Sequence, residues 1–128
     1  MNDAELMIIA SEARKNAYVP YSGFRVGAAV LAKSGKVYTG CNVESASFGA
    51  TNCAERVALQ KAVSEGEREF LALAVVGDAK MTMPCGICRQ VISELAPEVR
   101  VLVGEEESYQ VFTPASLLPH AFGPEDLL

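Results

Sequence analysis

Three cysteines, one alone and two closely spaced, constrain this chain more than any other feature. Cys53 stands two residues before Glu55, and Cys85 and Cys88 form a Cys-x-x-Cys pair further along. Zinc takes four ligands in a tetrahedron, and a catalytic zinc keeps one position open for water. Three thiolates leave that position free, and Glu55 is too near Cys53 in sequence to be an independent ligand. The pattern predicts a catalytic zinc site with Glu55 as its general acid and base.

Both cysteine motifs are expected to open helices. Free N–H groups and the partial positive charge at a helix N-terminus favour thiolate over thiol, which is the form that binds a metal. Zinc with three thiolates carries a net charge of about −1, so a cation is needed nearby. Arg56 directly follows Glu55 and is the first candidate. Arg89 could help in this role or could equally be a surface residue.

Two other interpretations of the cysteines remain open at this point. A structural zinc site would need a fourth protein ligand, which Cys41 could provide, although Cys41 lies in a predicted strand and suits a small core residue. A thiol–disulfide oxidoreductase would use Cys85 and Cys88 alone and leave Cys53 without a role.

The only histidine, His120, is distant in sequence from both motifs and is expected to be neither ligand nor base.

Composition excludes several classes of partner. The chain has 128 residues and a net charge of −5, without a cluster of lysine and arginine. This argues for one domain over 1–128 and against nucleic acid or an anionic membrane as partner. The N-terminus is acidic, unlike a signal peptide, and no apolar stretch reaches the roughly 18 residues of a membrane span. We expect a cytosolic protein with reduced thiols.

Hydrophobic periodicity predicts alternating helices and strands. The expected order is a helix, a β-hairpin, a helix, a strand, a helix, two strands and a short final helix. The predicted ranges are 2–18, 24–33 with 36–43, 53–66, 70–77, 85–96, 99–103 and 109–112, and a last short helix has Thr113 as its N-cap and Pro114 as its first residue. Strands that alternate with helices favour parallel crossovers, and the hairpin adds an antiparallel strand. The result is an α/β fold with a mixed sheet covered on both faces.

Five stretches, in this order, resemble the cytidine deaminase family, specifically its small, three-cysteine zinc type. They are 17–29 (AYVPYSGFRVGAA), 40–44 (GCNVE), 52–56 (NCAER), 84–90 (PCGICRQ) and 117–122 (LLPHAF). The resemblance implies a five-stranded sheet in a three-layer α/β/α sandwich. It also implies one zinc ion per subunit, bound by Cys53, Cys85 and Cys88, and a homotetramer whose active sites are shared between subunits.

The resemblance further implies hydrolytic deamination of cytidine and 2′-deoxycytidine to the uridine products and ammonia, for pyrimidine salvage. On the sugar side, Asn42 and Glu44 would bind the ribose hydroxyls, and Phe24 would flank the pyrimidine or sugar. A related nucleoside deaminase, such as a blasticidin-S-type enzyme, is the alternative; the Asn42 and Glu44 pair favours cytidine.

On the base side, three positions match substrate contacts of the family. The Ala54 N–H would bind the O2 atom of the base, and the Pro84 carbonyl would accept from the departing amino group. Phe122 would cover the pyrimidine of another subunit. Arg56 would donate to the ligand sulfurs.

Overall fold

A computed structural model describes all residues, 1–128. The chain forms four helices and five strands, together with short 3₁₀ turns at Phe48–Ala50 and Pro124–Asp126. The elements are α1 (Asp3–Arg14), β1 (Val26–Ala32), β2 (Val37–Cys41), α2 (Ala54–Ser64), β3 (Phe70–Gly77), α3 (Gly86–Leu95), β4 (Arg100–Glu105), β5 (Ser108–Phe112) and α4 (Pro114–Leu117). None of the helices is both long and apolar enough to cross a membrane.

The five strands form one mixed sheet in the order β2-β1-β3-β4-β5. β1 pairs antiparallel with both β2 and β3, and β4 pairs antiparallel with β5. Only β3 and β4 run parallel, because α3 connects them as a crossover. The predicted mixed five-stranded sheet is confirmed, with fewer parallel pairings than the alternation of helices and strands suggested.

The two faces of the sheet carry separate hydrophobic cores. Leu6 and Met7 of α1 pack with Ala29 and Ala74 on one face. On the other face, α2, α3 and α4 cover a larger cluster that includes Val30. Successive strand residues point to opposite faces, so neighbours such as Ala29 and Val30 enter different cores. This arrangement is the three-layer α/β/α sandwich that the family resemblance implied.

The first helix ends earlier than predicted. The capping box of Asn2 and Glu5 fixes its start, but α1 ends at Arg14 instead of continuing to Tyr18. The peptide of Tyr18 bonds instead to a distant segment: its N–H donates to the Asn42 carbonyl at 3.0 Å and its carbonyl accepts from the Glu44 N–H at 2.9 Å. These two bonds hold the segment before β1 beside the residues that follow β2.

The hairpin strands are also shorter than predicted. β1 begins at Val26, so Phe24 lies just before the strand, and β2 ends at Cys41, so Asn42 lies just after it. Both residues therefore occupy the loops at one end of the sheet.

Candidate active site

The structure brings Cys53, Cys85 and Cys88 together. Cys53 and Cys85 are the N-cap residues of α2 and α3, and Cys88 lies in the first turn of α3. The three sulfur atoms lie within 4.8 Å of one another, and the Sγ atoms of Cys53 and Cys85 are 3.7 Å apart. Tetrahedral zinc with Zn–S bonds of about 2.3 Å requires sulfurs about 3.8 Å apart. The donor set therefore fits zinc, with a fourth position left for a non-protein ligand.

A glycine allows the N-terminus of α2 to approach the sheet. A Cβ atom at Gly40 in β2 would collide with the Ala54 carbonyl and the Ala58 nitrogen. The absence of a side chain lets β2 and the first turn of α2 pack backbone to backbone. This close packing fixes Cys53 at the end of the sheet, where the β3–α3 loop brings Cys85.

The cluster favours a thiolate at Cys53. The Arg56 Nη2 atom donates to the Cys53 sulfur at 3.1 Å. The Cys88 thiol, as the largest influence, and the Arg56 guanidinium lower the pKa of Cys53 to about 5 by hydrogen bonding. The same interaction with Cys53, followed by burial, raises the pKa of Cys88. Of the two, Cys53 is therefore the sulfur that more readily carries a negative charge.

Glu55 is buried beside this cluster, with 4% of its surface exposed. Burial raises its pKa to about 7, and the negative charge of Cys53 adds to the increase. A carboxyl group with this pKa both accepts and releases protons near neutral pH, as general acid–base catalysis requires. The neighbouring Ala54 is the first residue of α2, where the N–H group has no acceptor within the helix.

The side chain of Asn42 bonds to the backbone at the start of β1. Its Nδ2 donates to the Phe24 carbonyl at 2.8 Å, and its Oδ1 accepts from the Val26 N–H at 2.9 Å. The amide therefore has a structural task that the sequence did not reveal. One hydrogen of Nδ2 and one lone pair of Oδ1 remain available.

Glu44 faces the loop before β1. Its carboxylate accepts from the N–H groups of Tyr21 and Ser22 and from the Ser22 hydroxyl. These bonds, led by that of the hydroxyl, lower the pKa of Glu44. An open cavity of about 430 Å³ adjoins it, lined by Tyr21, Ser22, Glu44, Ser45, Phe48 and Thr51. Sequence reasoning missed Ser22, although it lies within one of the family-like stretches.

Arg89 contacts backbone carbonyls instead of sulfurs. Its Nε donates to the Pro84 carbonyl at 2.8 Å and its Nη1 to the Leu117 carbonyl at 2.9 Å. The sequence left open whether Arg89 assists the sulfurs or is a surface residue. Neither interpretation describes these contacts. Arg89 ties the loop before Cys85 to the end of α4.

The remaining candidates lie outside the cysteine cluster. Phe122 exposes 59% of its surface, and its carbonyl accepts from Gln90 Nε2 at 2.9 Å. Cys41 is half-buried at the end of β2 and does not belong to the three-sulfur group, so the structural site with four cysteines lacks its fourth ligand. His120 is likewise not part of the group.

A three-layer fold that brings three cysteine sulfurs beside a buried glutamate defines a zinc-dependent deaminase. The family model described as the cytidine and deoxycytidylate deaminase zinc-binding region matches residues 1–105. The chain belongs to the cytidine and deoxycytidylate deaminase family. This assignment excludes the thiol–disulfide oxidoreductase interpretation of Cys85 and Cys88.

Individual relatives agree with this assignment. A cytidine deaminase of Halalkalibacterium halodurans is 54% identical over 121 residues, which cover 92% of each chain. The crystal structure of a cytidine deaminase from Burkholderia pseudomallei superposes with a TM-score of 0.91 at 46% identity, covering 95% of this chain and 100% of the other. A blasticidin-S deaminase of Bacillus cereus is 30% identical over 91% of this chain and 89% of its own.

Proposed function

We propose that this protein hydrolytically deaminates cytidine and 2′-deoxycytidine to uridine and 2′-deoxyuridine, releasing ammonia in the cytosol for pyrimidine salvage. The observation that carries the proposal is a buried carboxyl, Glu55, immediately beside three convergent sulfurs. Cys53, Cys85 and Cys88 would hold one zinc ion per chain. When bound, zinc supplies a water molecule whose pKa is lowered towards neutrality.

Glu55 carries the protons in this proposal. It accepts a proton from the attacking water and delivers it to N3 of the pyrimidine. Once the water oxygen has added to C4, Glu55 takes the proton of the new C4 hydroxyl and passes it to the amino group, which leaves as ammonia, so that one carboxyl acts as base and then as acid. The pKa of about 7 that burial gives Glu55 supports both roles.

The backbone around the cluster would hold the base. The free N–H of Ala54 is available for the O2 atom of the pyrimidine. The Pro84 carbonyl accepts from Arg89 and, since a carbonyl oxygen has two lone pairs, could also accept from the departing amino group. Asn42 and Glu44 would bind the sugar hydroxyls, chiefly the 3′-hydroxyl. Of the two, Glu44 lines the open cavity beside Phe48. Phe24 would flank the pyrimidine or the sugar.

We propose a homotetramer in which Phe122 of one chain covers the pyrimidine of another. Two exposed aromatic side chains support an interface: Phe48 exposes 79% of its surface and Phe122 exposes 59%. Among the aromatic rings, Phe48 packs only against Tyr21, in an edge-on arrangement with ring centroids 6.5 Å apart. Light scattering coupled to gel filtration tests the mass; a monomer would contradict the proposal.

An ammonia-release assay tests the activity. Purified protein with measured zinc content is given cytidine, 2′-deoxycytidine, cytosine, dCMP and blasticidin S in parallel. We expect turnover of the two nucleosides, abolished in Glu55→Gln and retained in Glu107→Gln, a variant with the same change at an exposed turn. Preferential turnover of blasticidin S would instead favour the alternative enzyme, and zinc-loaded protein without activity on any substrate would contradict the proposal.

A further inference from the structure

We propose that Gln90 is a positioning residue that sets the place of the Phe122 ring by holding the main chain of the C-terminal segment. This inference rests on the proposed function, in which Phe122 covers the pyrimidine. Gln90 does not touch the reacting atoms in this role. It acts through Phe122.

The amide of Gln90 is fixed in one orientation. Its Nε2 donates to the Phe122 carbonyl at 2.9 Å and to Glu94 Oε1 at 3.2 Å. Both partners can only accept, so the nitrogen and not the oxygen of the amide must face them. Glu94 lies one turn further along α3 and therefore orients the donor. Gln90 itself follows Cys88 by two residues, so the helix that carries two of the three sulfurs also holds the segment with Phe122.

The ring of Phe122 has little else to hold it. It is mostly exposed and belongs to neither hydrophobic core. The segment is tied a second time five residues earlier, where Arg89 binds the Leu117 carbonyl. Between the two ties, His120 lies in a turn and adopts a left-handed backbone with φ of 55°. Within its own chain, therefore, the hydrogen bond from Gln90 to the Phe122 carbonyl, and not packing of the ring, fixes the start from which the ring extends.

Two variants remove the donor in different ways. Gln90→Leu deletes it with little change in size, and Gln90→Glu places a carboxylate against two acceptors. We expect KM for cytidine to rise about 3- to 10-fold, as for the loss of one hydrogen bond, with kcat within about twofold. Zinc content should not change. Gln110→Glu, the same change on the exposed edge strand β5, should behave as wild type.

A double-mutant cycle separates this role from a general effect on α3. In a Phe122→Ala background, neither Gln90 variant should raise KM further, since the residue through which Gln90 acts is gone. A full additional increase in that background, a loss of zinc in the single Gln90 variants, or a Phe122→Ala protein with wild-type KM would overturn the proposal.

A reporter tests the position of the segment without any assay of activity. The chain contains no tryptophan, so Phe122→Trp provides a single fluorophore. We expect Gln90→Leu in that background to lower the fluorescence anisotropy of the tryptophan, while Gln110→Glu leaves it unchanged. Equal anisotropy with and without the Gln90 donor would refute the positioning role. If the wild type released no ammonia from cytidine, the proposed function would fail, and this measurement would still decide whether Gln90 holds the segment.

Discussion

Arg56 donates a hydrogen bond from Nη2 to the Sγ atom of Cys53 over 3.1 Å. The contact places a permanent cation against a cluster of three sulfurs, where zinc and three thiolates leave a net negative charge. Donors to ligating sulfurs tune the charge of a metal centre as well as its geometry. We therefore expect the Arg56 side chain to influence how strongly a zinc ion bound at this site would act as a Lewis acid.

Replacing Arg56 with glutamine should lower kcat for cytidine by about 10- to 100-fold, because the sulfurs then lose the cation that offsets their charge. Steady-state kinetics with zinc analysis of the same preparation measure the effect. Arg68→Gln is the matched control, since Arg68 binds only the nearby carbonyls of Val63 and Glu67. A kcat within twofold of wild type would show that Arg56 does not tune the site.

Glu55→Gln should retain zinc and lose turnover. The change preserves the size of the side chain but removes its ability to accept a proton, which typically contributes about 10²- to 10⁴-fold. Zinc analysis and an ammonia assay on one sample test both halves of the prediction. Loss of the metal with the carboxylate would instead indicate that Glu55 supports zinc binding.

Glu44→Gln should weaken nucleoside binding through the sugar. If the carboxylate accepts from the 3′-hydroxyl, its loss should lower kcat/KM for cytidine by about 10-fold or more, the cost of a hydrogen bond to a charged group. With 3′-deoxycytidine, wild type and variant should differ little, because the hydroxyl is absent. The same deficit with both substrates would mean that Glu44 acts only by holding Tyr21 and Ser22.

Local signals in the sequence were sufficient to predict where most elements begin. Asn2 with Glu5 forms a capping box, and Cys53 and Cys85 precede α2 and α3 as expected. The strand predicted at 70–77 is an almost unbroken apolar run, and β3 is buried on both faces except at Leu71. Each of these features depends on residues within a few positions of one another.

Pairings between distant segments could not be predicted in this way. α1 ends at Arg14, and the peptide of Tyr18 bonds to the distant chain at Asn42 and Glu44. Arg89 finds its second acceptor at Leu117. The side-chain amide of Asn42 likewise bonds to the backbone of Phe24 and Val26, where β1 begins. Neither propensity nor periodicity encodes which remote carbonyl a side chain will meet, so these contacts emerged only with the fold.

Asp78 should make stability depend on pH. It accepts from the Arg25 N–H at 2.8 Å and pairs with the side chains of Arg25 and Arg14, and these contacts lower its pKa. A carboxyl group whose pKa is lower in the folded state contributes stability above its unfolded pKa of about 3.9, and that contribution is lost as pH falls through the folded-state pKa. Asp78→Asn should therefore lower the free energy of unfolding at pH 7 by about 1 kcal/mol.

Urea unfolding of wild type and Asp78→Asn between pH 7 and pH ~3 tests this dependence. The difference between the two proteins should shrink towards the acidic end, as pH falls below the unfolded-state pKa of Asp78 towards its lower folded-state pKa. Glu107→Gln, an exposed acid without a hydrogen bond, should show no such trend. A difference that stays constant with pH would mean that packing, not charge, accounts for the effect of Asp78.

Subunit mixing tests whether active sites are shared. Phe122→Asp and Glu55→Gln should each be inactive, because the first lacks the aromatic ring and the second lacks the carboxyl group. If Phe122 serves a neighbouring chain in a symmetric oligomer, random reassembly of equal amounts gives about one site in four with both residues intact. The mixture should then recover about a quarter of wild-type activity. Activity that stays at the level of the parents, with exchange verified by mass spectrometry of differently tagged chains, would show that Phe122 acts within its own chain.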